Sequence, residues 1–444
     1  MTVTVSARSG AFPQFQPVAG AAAAGTPPTH DVAVLGLGYV GLPTALALHA
    51  TGHRVLGIDV DPDRLAAIGQ RRVDLLHADL DRLDEALADR AAFELADEPA
   101  RLAHAAAVLI CVPTPVDPQL VPDLRVLRRA CETVVAHAVP GQVLILTSTS
   151  YVGTTRELLA EPLAARGLRP GVDVFVAFSP ERIDPGNDRP QSLVPRVLGG
   201  VTPQCAARAI GALKGYGPQL HEVSSAEAAE MTKLLENSFR AVNIAFANEI
   251  AEASRALGLD VREVIDAAST KPFGFMRFLP GPGAGGHCIP CDPYYLLWQL
   301  RAARLPMPVT EQAMSALAGR PRLVVDRIRT MLADAGLSLS RARVLVVGVT
   351  YKPDVEDLRE SPALEIIESL RHSGATVSYH DPYVPRLSSA AGPLTGLATP
   401  SAADADLVLM HTLHTGADLS WLDGHPLVLD ATYRLAPALG RVRL

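Results

Sequence analysis

Between Asp31 and Gly200, short apolar runs alternate with longer stretches whose apolar residues recur every three or four positions. The runs at 31–35, 54–58, 107–112, 143–147, 173–177 and 197–200 read as strands. Stretches such as 123–138 and 154–166 read as helices between them. Strands and helices alternating at this spacing predict a parallel sheet covered on both faces. From about Ser225 the pattern changes. Residues 226–257 contain neither Gly nor Pro, Gly258 is placed to stop a helix, and Met231, Leu235, Phe239, Val242, Phe246 and Ile250 recur at helical spacing. The expectation is one amphipathic helix of roughly 45–50 Å. Asp260 with Glu263 predicts a capping box for the next helix. A Gly/Pro-rich loop covers 279–293, and strand-helix alternation resumes at Val344–Val349 and continues through 375–380, 406–410 and 427–430. The predicted fold is therefore α/β: two Rossmann-like domains joined by a central helical domain with one long helix. The expected divisions are 30–215, 216–318 and 319–444. Residues 1–29, rich in Ala, Gly, Pro and Thr, read as a mobile tail without the basic start and apolar core of a secretory signal.

Composition narrows the functional classes. The net charge of −7 gives no basic footprint for nucleic acid or an anionic membrane, and no apolar run is long enough to span a bilayer. Five cysteines form no even disulfide framework, so reduced thiols and a cytoplasmic location are expected. Of 40 basic residues only four are lysine: Lys214, Lys233, Lys271 and Lys352. A chain that otherwise chooses arginine draws attention to these four positions.

Three motifs carry candidate chemistry. Gly36-Leu37-Gly38-Tyr39-Val40-Gly41 follows a strand and opens a helix, the arrangement of a dinucleotide-binding turn. Asp59, at the end of the second strand, is placed to bind both ribose hydroxyls and would repel a 2′-phosphate, which favours NAD over NADP. Secondly, five Gly or Pro residues precede Gly286-His287-Cys288, a backbone able to wrap closely around a ligand. A cysteine displayed there, near Asp292, is a candidate nucleophile. A redox pair or half a zinc site built on Cys288-x-x-Cys291 remain as other readings, although no second ligand pair for zinc is present. Thirdly, Lys233 and Asn237 project from one helix face, away from the Met231/Leu235/Phe239 stripe. A fixed ammonium and amide suit a developing oxyanion; a solvated face is the bland reading.

Together these residues resemble the nucleotide-sugar 6-dehydrogenase family, which includes the UDP-glucose, UDP-N-acetylglucosamine and UDP-N-acetylmannosamine dehydrogenases. The resemblance runs from about Asp31 to Arg434. It includes Cys111-Val-Pro-Thr-Pro115, Ser148-Thr-Ser-Tyr151, Ser179-Pro-Glu-Arg182, Lys233-Leu-Leu-Glu-Asn237, Gly285-Gly-His-Cys-Ile-Pro-Cys-Asp-Pro-Tyr-Tyr295, Tyr351-Lys352 and Asp357-Leu-Arg-Glu-Ser-Pro362. It implies a four-electron oxidation of a sugar C6 alcohol, with two NAD per turnover and Cys288 carrying a thiohemiacetal and then a thioester. By the same resemblance Lys233, Asn237 and Asp292 handle the oxyanions and an ordered water, and Thr149 and Glu181 belong to that water network. Glu181 is a candidate base for hydrolysis. Gly36, Gly38, Tyr39, Val40, Gly41, Asp59, Arg64, Thr114 and Arg359 would hold NAD. Phe278, Leu279, Gly285 and Lys352 would hold the UDP-sugar, and no metal is implied. The Ser-Pro-Glu-Arg and Gly-Gly-His-Cys motifs resemble the branch acting on UDP-N-acetylhexosamines (UDP-GlcNAc or UDP-ManNAc), with UDP-glucose as the alternative. Val152, Arg277 and Cys291 depart from that branch. A single-step NAD hydroxyacid dehydrogenase is a further alternative. The family's homodimer or higher homo-oligomer is expected, with the central domain as the dimerisation domain. The family's cross-subunit arginine near this loop corresponds here to Lys271-Pro272. A reversible Cys288–Cys291 disulfide is a separate expectation.

Overall fold

The computed structural model describes residues 28–73, 75, 77–182, 194–215, 219–389, 392–401, 403, 405–438 and 440–444. The tail expected at 1–29 lies almost wholly outside the described residues. The chain folds as an N-terminal α/β unit, a helical middle and a second, smaller α/β unit.

The first unit runs β1 (His30–Leu35), α1 (Gly41–Ala50), β2 (Val55–Ile58), α2 (Pro62–Gly69), α3 (His77–Ala88), β3 (Phe93–Ala96), β4 (Ala105–Ile110), α4 (Arg125–His137), β5 (Val143–Leu146), α5 (Glu161–Ala165), β6 (Phe175–Phe178), β7 (Arg196–Gly200), α6 (Pro203–Ala212) and β8 (Leu220–Val223). Its sheet has the order β3-β2-β1-β4-β5-β6-β7-β8. All its strand pairs are parallel except β6 with β7. Successive side chains of the central strands supply opposite faces. Val34, Val55, Leu109 and Ile145 enter one core, while Leu35, Leu56, Ile110 and Leu146 enter the other. Strand order reverses between β1 and β4, and a ligand crevice opens at the C-terminal ends of strands at such a point. β8 extends this sheet past residue 215.

The middle comprises α7 (Ala226–Ala256), α8 (Val261–Ser269), α9 (Asp292–Ala302) and α10 (Pro308–Asp334). The Ser225 hydroxyl caps α7 by accepting the Ala228 N–H, and Gly258 follows in the left-handed region at φ 70°. Asp260 accepts the Arg262 N–H at the start of α8 and pairs with Arg443 of the last strand. The apolar spacing on α7 identifies the helix but not its inward face. Ala226, Ala229, Glu230, Lys233, Leu234, Asn237, Ala241 and Asn248 are buried, whereas Met231, Leu235, Phe239 and Phe246 are exposed. The small and polar face points inward.

The last unit contains β9 (Arg343–Val347), α11 (Pro362–His372), β10 (Thr376–His380), a two-stranded β11 (Arg386–Leu387) and β12 (Leu394–Thr395), then β13 (Leu407–Met410), β14 (Val428–Asp430) and β15 (Arg441–Arg443). Its five-stranded parallel sheet has the order β10-β9-β13-β14-β15. α10 runs unbroken across residue 319, so the helical middle and this unit share one helix.

Arg320 of α10 links the parts. Its side chain is 2% exposed and donates to Glu252 on α7 at 2.7 Å, to the Gly281 carbonyl at 3.0 Å and to the Tyr433 hydroxyl at 3.3 Å. The Tyr433 hydroxyl in turn donates to the Leu444 carbonyl. Replacing one member of a buried charged network leaves the others unpaired, typically at several kcal/mol. Glu252 is partly exposed and retains Arg255, which puts this case at the low end. Arg320→Met is therefore expected to cost about 2–3 kcal/mol, read from the urea unfolding midpoint. A cost below about 1 kcal/mol would show that the link is dispensable.

Candidate active site

The glycine turn lies at the strand-order reversal. Gly36 adopts φ 90°, and a Cβ there would come 2.4 Å from the Cys111 carbonyl oxygen; a Cβ on Gly41 would come 1.8 Å from the Gly36 carbonyl oxygen. A Cβ on Gly38 meets nothing within 4 Å. Two glycines thus allow close packing, while the middle one faces open space where a diphosphate can approach the α1 N-terminus. Val40 occupies the N-cap position without a side-chain cap. Asp59 Oδ2 accepts the Leu37 N–H at 2.7 Å, which sets the carboxylate beside the turn, and Arg64 Nε donates to the Leu37 carbonyl at 2.9 Å. These residues fit NAD: an open phosphate cradle, a helix N-terminus and an acid at the ribose position.

Cys288 and Cys291 have different environments. Cys288 is exposed in the loop before α9, and the Asp292 N–H donates to its carbonyl at 2.9 Å. Cys291 is buried, and burial pushes its thiol up to about 12. Only Cys288 is presented for attack. The Cys291 N–H to Cys288 carbonyl bond closes a turn of the kind that keeps such Cα atoms within about 7 Å. All five cysteines are free thiols. His287 is partly buried, with Nε2 lacking a hydrogen-bond partner, and burial is the main cause lowering its pKa.

Asp292 opens α9 and is 3% exposed. Burial pushes its carboxyl up to about 6, opposed by the nearby Lys233 charge and by Asn237. Asn237 Nδ2 donates to Asp292 Oδ2, and Lys233 Nζ donates to the Glu181 carbonyl at 2.9 Å. The two α7 residues are buried rather than solvated, and they bring Asp292 and the Glu181 backbone together. The Glu181 carboxylate accepts from Arg196 at 3.0 Å and from the Arg182 N–H at 2.8 Å. Thr149 lies in the turn after β5 and is not hydrogen-bonded to this group. Thr114 is buried beside Tyr295 of α9.

Glu230 escaped the sequence reading. It sits one turn before Lys233 on the same face and is 1% exposed. It accepts the Gly153 N–H at 2.5 Å, the Thr155 N–H at 2.8 Å and the Thr155 hydroxyl at 2.6 Å. It thereby holds the segment after Thr149 against the helix bearing Lys233. Its i, i+3, i+7 spacing with Lys233 and Asn237 was the available signal.

The third unit closes the site. Phe278 makes an edge contact with Phe239, and Leu279 packs on the last unit's core. The Gly281 N–H donates to Asn248 Oδ1 at 2.9 Å, opposite the Arg320 bond to its carbonyl. A Cβ on Gly285 would come 2.6 Å from Tyr351 Cβ and 2.8 Å from the Glu360 carbonyl. These glycines therefore serve a close approach between loop and domain, a role the sequence reading did not assign to them. The Gly286 N–H donates to the Arg359 carbonyl at 2.9 Å. The Arg359 guanidinium pairs with Asp357 and lies 4.6 Å from the Tyr39 ring centroid, joining the third unit to the glycine turn. Lys352 lies in the turn after β9.

Comparison with known proteins agrees with this layout. The chain matches three successive domains of the UDP-glucose/GDP-mannose dehydrogenase family: its NAD binding domain over residues 30–213, its central domain over 227–316 and its UDP binding domain over 345–434. It is 34% identical over 400 residues to UDP-N-acetyl-D-mannosamine dehydrogenase of Yersinia pestis, covering 86% of this chain and 93% of that one. A Pyrococcus horikoshii protein of the same name is 35% identical over 358 residues, covering 80% of this chain and 84% of that one. Among solved structures, a UDP-D-ManNAc dehydrogenase from Pyrococcus horikoshii superposes with a TM-score of 0.83 at 31% identity, covering 93% of this chain and 98% of that one. A UDP-glucose dehydrogenase from Pyrobaculum islandicum gives 0.80 at 26% identity, covering 90% and 94%. With all three of its domains present in order around the site just described, the chain belongs to the UDP-glucose/GDP-mannose dehydrogenase family.

Proposed function

We propose that this chain oxidises the C6 alcohol of a UDP-N-acetylhexosamine to the uronate through a thioester on Cys288. One sugar, two NAD⁺ and one water give one carboxylate, two NADH and three protons. The observation that carries this reading is the convergence of Lys233 and Asn237 on buried Asp292, one helical turn from an exposed thiol. Relatives named for UDP-N-acetyl-D-mannosamine make that sugar the first to test, ahead of UDP-N-acetylglucosamine and UDP-glucose.

The glycine turn, with Asp59 and Arg64 for the ribose, would hold NAD, which when bound would supply the hydride acceptor for each oxidation. The protein's own residues do the rest. Asp292, ionised above about 6, takes the C6 hydroxyl proton, while Lys233 and Asn237 donate to the oxygen as charge develops. Cys288 Sγ then bonds to the aldehyde carbon, and the same donors hold the resulting oxygen. Loss of the second hydride leaves a thioester. Water adds to its carbonyl, the C–S bond breaks, and the Cys288 thiolate leaves. Glu181, with Thr149, orders that water and accepts its proton. Phe278, Leu279, Gly285 and Lys352 are the residues this reading assigns to the UDP-sugar. The same reading makes the protein a homodimer. Met231, Leu235, Phe239 and Phe246 leave an apolar stripe on α7, and Phe273 and Met276 are exposed as well. A second copy, carrying the same stripe, is the self-complementary cover.

Four outcomes are expected. Absorbance at 340 nm with limiting UDP-N-acetylmannosamine should show two NADH per sugar; one would sink the four-electron reading. Cys288→Ala should lose turnover by roughly 10³-fold or more, and undiminished turnover would remove the nucleophile. The log kcat/KM–pH profile, which reports groups of the free enzyme, should rise with pH and level off above about 6, because the ionised carboxylate is the working form. An unchanged acid limb in Asp292→Asn would assign that limb elsewhere. Finally, sedimentation should give a dimer of 46.9 kDa chains, and the double variant Leu235→Glu/Phe239→Glu should be monomeric. A wild-type monomer at micromolar concentration would discard the interface.

A further inference from the structure

The turn that carries Lys352 is held from outside by the segment following β13. The Thr350 hydroxyl donates to the Lys352 carbonyl at 2.9 Å, and the Thr412 hydroxyl donates to the Thr350 carbonyl at 2.6 Å. Two residues past Lys352, Asp354 adopts φ 63°, a left-handed conformation that favours glycine and that Asp adopts with help from local hydrogen bonds. Its surroundings supply those bonds. The Asp354 N–H donates to His414 Nδ1 at 2.9 Å, and Asp354 Oδ1 and Oδ2 accept the Thr415 N–H and hydroxyl at 2.8 and 2.6 Å.

His414 is itself fixed. Because Nδ1 accepts, the ring proton lies on Nε2, which donates to Asp381 Oδ2 at 3.2 Å. Asp381 is 4% exposed at the end of β10 and accepts the Val349 and Thr350 N–H groups at 2.7 and 3.3 Å. The arrangement repeats that of the first unit, where Asp59 at the end of β2 accepts the Leu37 N–H. It differs in one respect: His414 occupies the outer side of the acid. Tyr383 lies against the imidazole, with ring centroids 4.8 Å apart. One ring therefore spans the acid under the turn and the left-handed residue at its far end.

We propose that His414 is a positioning residue for the substrate's nucleotide, fixing the Lys352 turn through the Asp354 N–H. This rests on the reading of Lys352 as a contact to the UDP moiety. The imidazole uses its two nitrogens for different tasks, so two variants separate them. In His414→Asn the side-chain oxygen takes the place of Nδ1 and still accepts from Asp354. In His414→Gln the terminal amide reaches Asp381, but no acceptor remains for Asp354. A role confined to filling space or to capping Asp381 predicts no such order.

The experiment measures Kd for UDP by titration calorimetry, together with kcat and the separate KM values for UDP-N-acetylmannosamine and NAD, on the full chain. His414→Gln is expected to raise the UDP Kd and the sugar KM about three- to ten-fold, the worth of one hydrogen bond, with kcat and the NAD KM within about two-fold. His414→Asn should return both nucleotide parameters to within about two-fold of wild type. Equal weakening in both variants, or in neither, overturns the proposal. Lys352→Ala run in parallel isolates the premise: if it leaves UDP affinity unchanged, the nucleotide reading of Lys352 falls and the proposal with it. If Lys352→Ala weakens UDP while His414→Gln does not, only the His414 assignment fails. Should neither His414 variant fold, Thr415→Val removes a hydroxyl bond to the same Asp354; wild-type UDP affinity there overturns the proposal as well.

Discussion

A carboxylate with almost no solvent contact must be compensated, and Asp292 sets terms for much of this molecule. Burial alone favours its neutral form; Lys233 and Asn237 pull the other way. Both come from one face of α7, so that face has to turn inward, accompanied by Glu230 and flanked by alanines small enough to allow close approach. Once the polar face is committed to the site, the apolar stripe is left on the outside. The inversion of α7 thus follows from electrostatics at the site, not from maximising apolar burial within one chain.

That inversion also marks where the sequence was legible and where it was not. The glycine turn, Asp59, the central strands, the long helix and the exposed thiol loop were readable because each is a local pattern of backbone preference or periodicity, whereas the short strands β3, β8, β11, β12 and β15 were not read. Periodicity defines two faces of α7 but cannot say which is buried, since the answer depends on Asp292, 55 positions from Asn237. The lysine scarcity pointed to Lys233 without revealing its environment. Glu230 bonds to residues 75 and 77 positions away, and Arg320 reaches as far as Tyr433, 113 positions on. Such pairings leave no short-range trace. Both are charged side chains in helices, where exposure is the ordinary expectation.

The two α/β units show how one architecture is turned to different ends. In each, a glycine with positive φ follows the first strand of the unit and sits against a carbonyl after a neighbouring strand: Gly36 against Cys111, Gly348 against Thr412. In each, an acid after the next strand accepts an N–H from that turn. Asp59 keeps a side open beside the crevice, whereas Asp381 is buried and hydrogen-bonded to His414. The family domains matched over these two units, NAD binding and UDP binding, follow the same division.

The segment Gly285–Gly286 touches the third unit so closely that a single methyl group would not fit. Its backbone is also bonded to Arg359, whose guanidinium rests on Tyr39 of the first unit. The thiol two residues later is consequently tethered to the third unit as well as to α9. Any hinge motion that parts the first and third units must unstack Arg359 from Tyr39. One that parts the third unit from the middle must either carry the thiol along or break the Gly286–Arg359 bond. Access to the cleft and the aim of the sulfur are therefore mechanically geared to one another, with the glycine segment as the coupling.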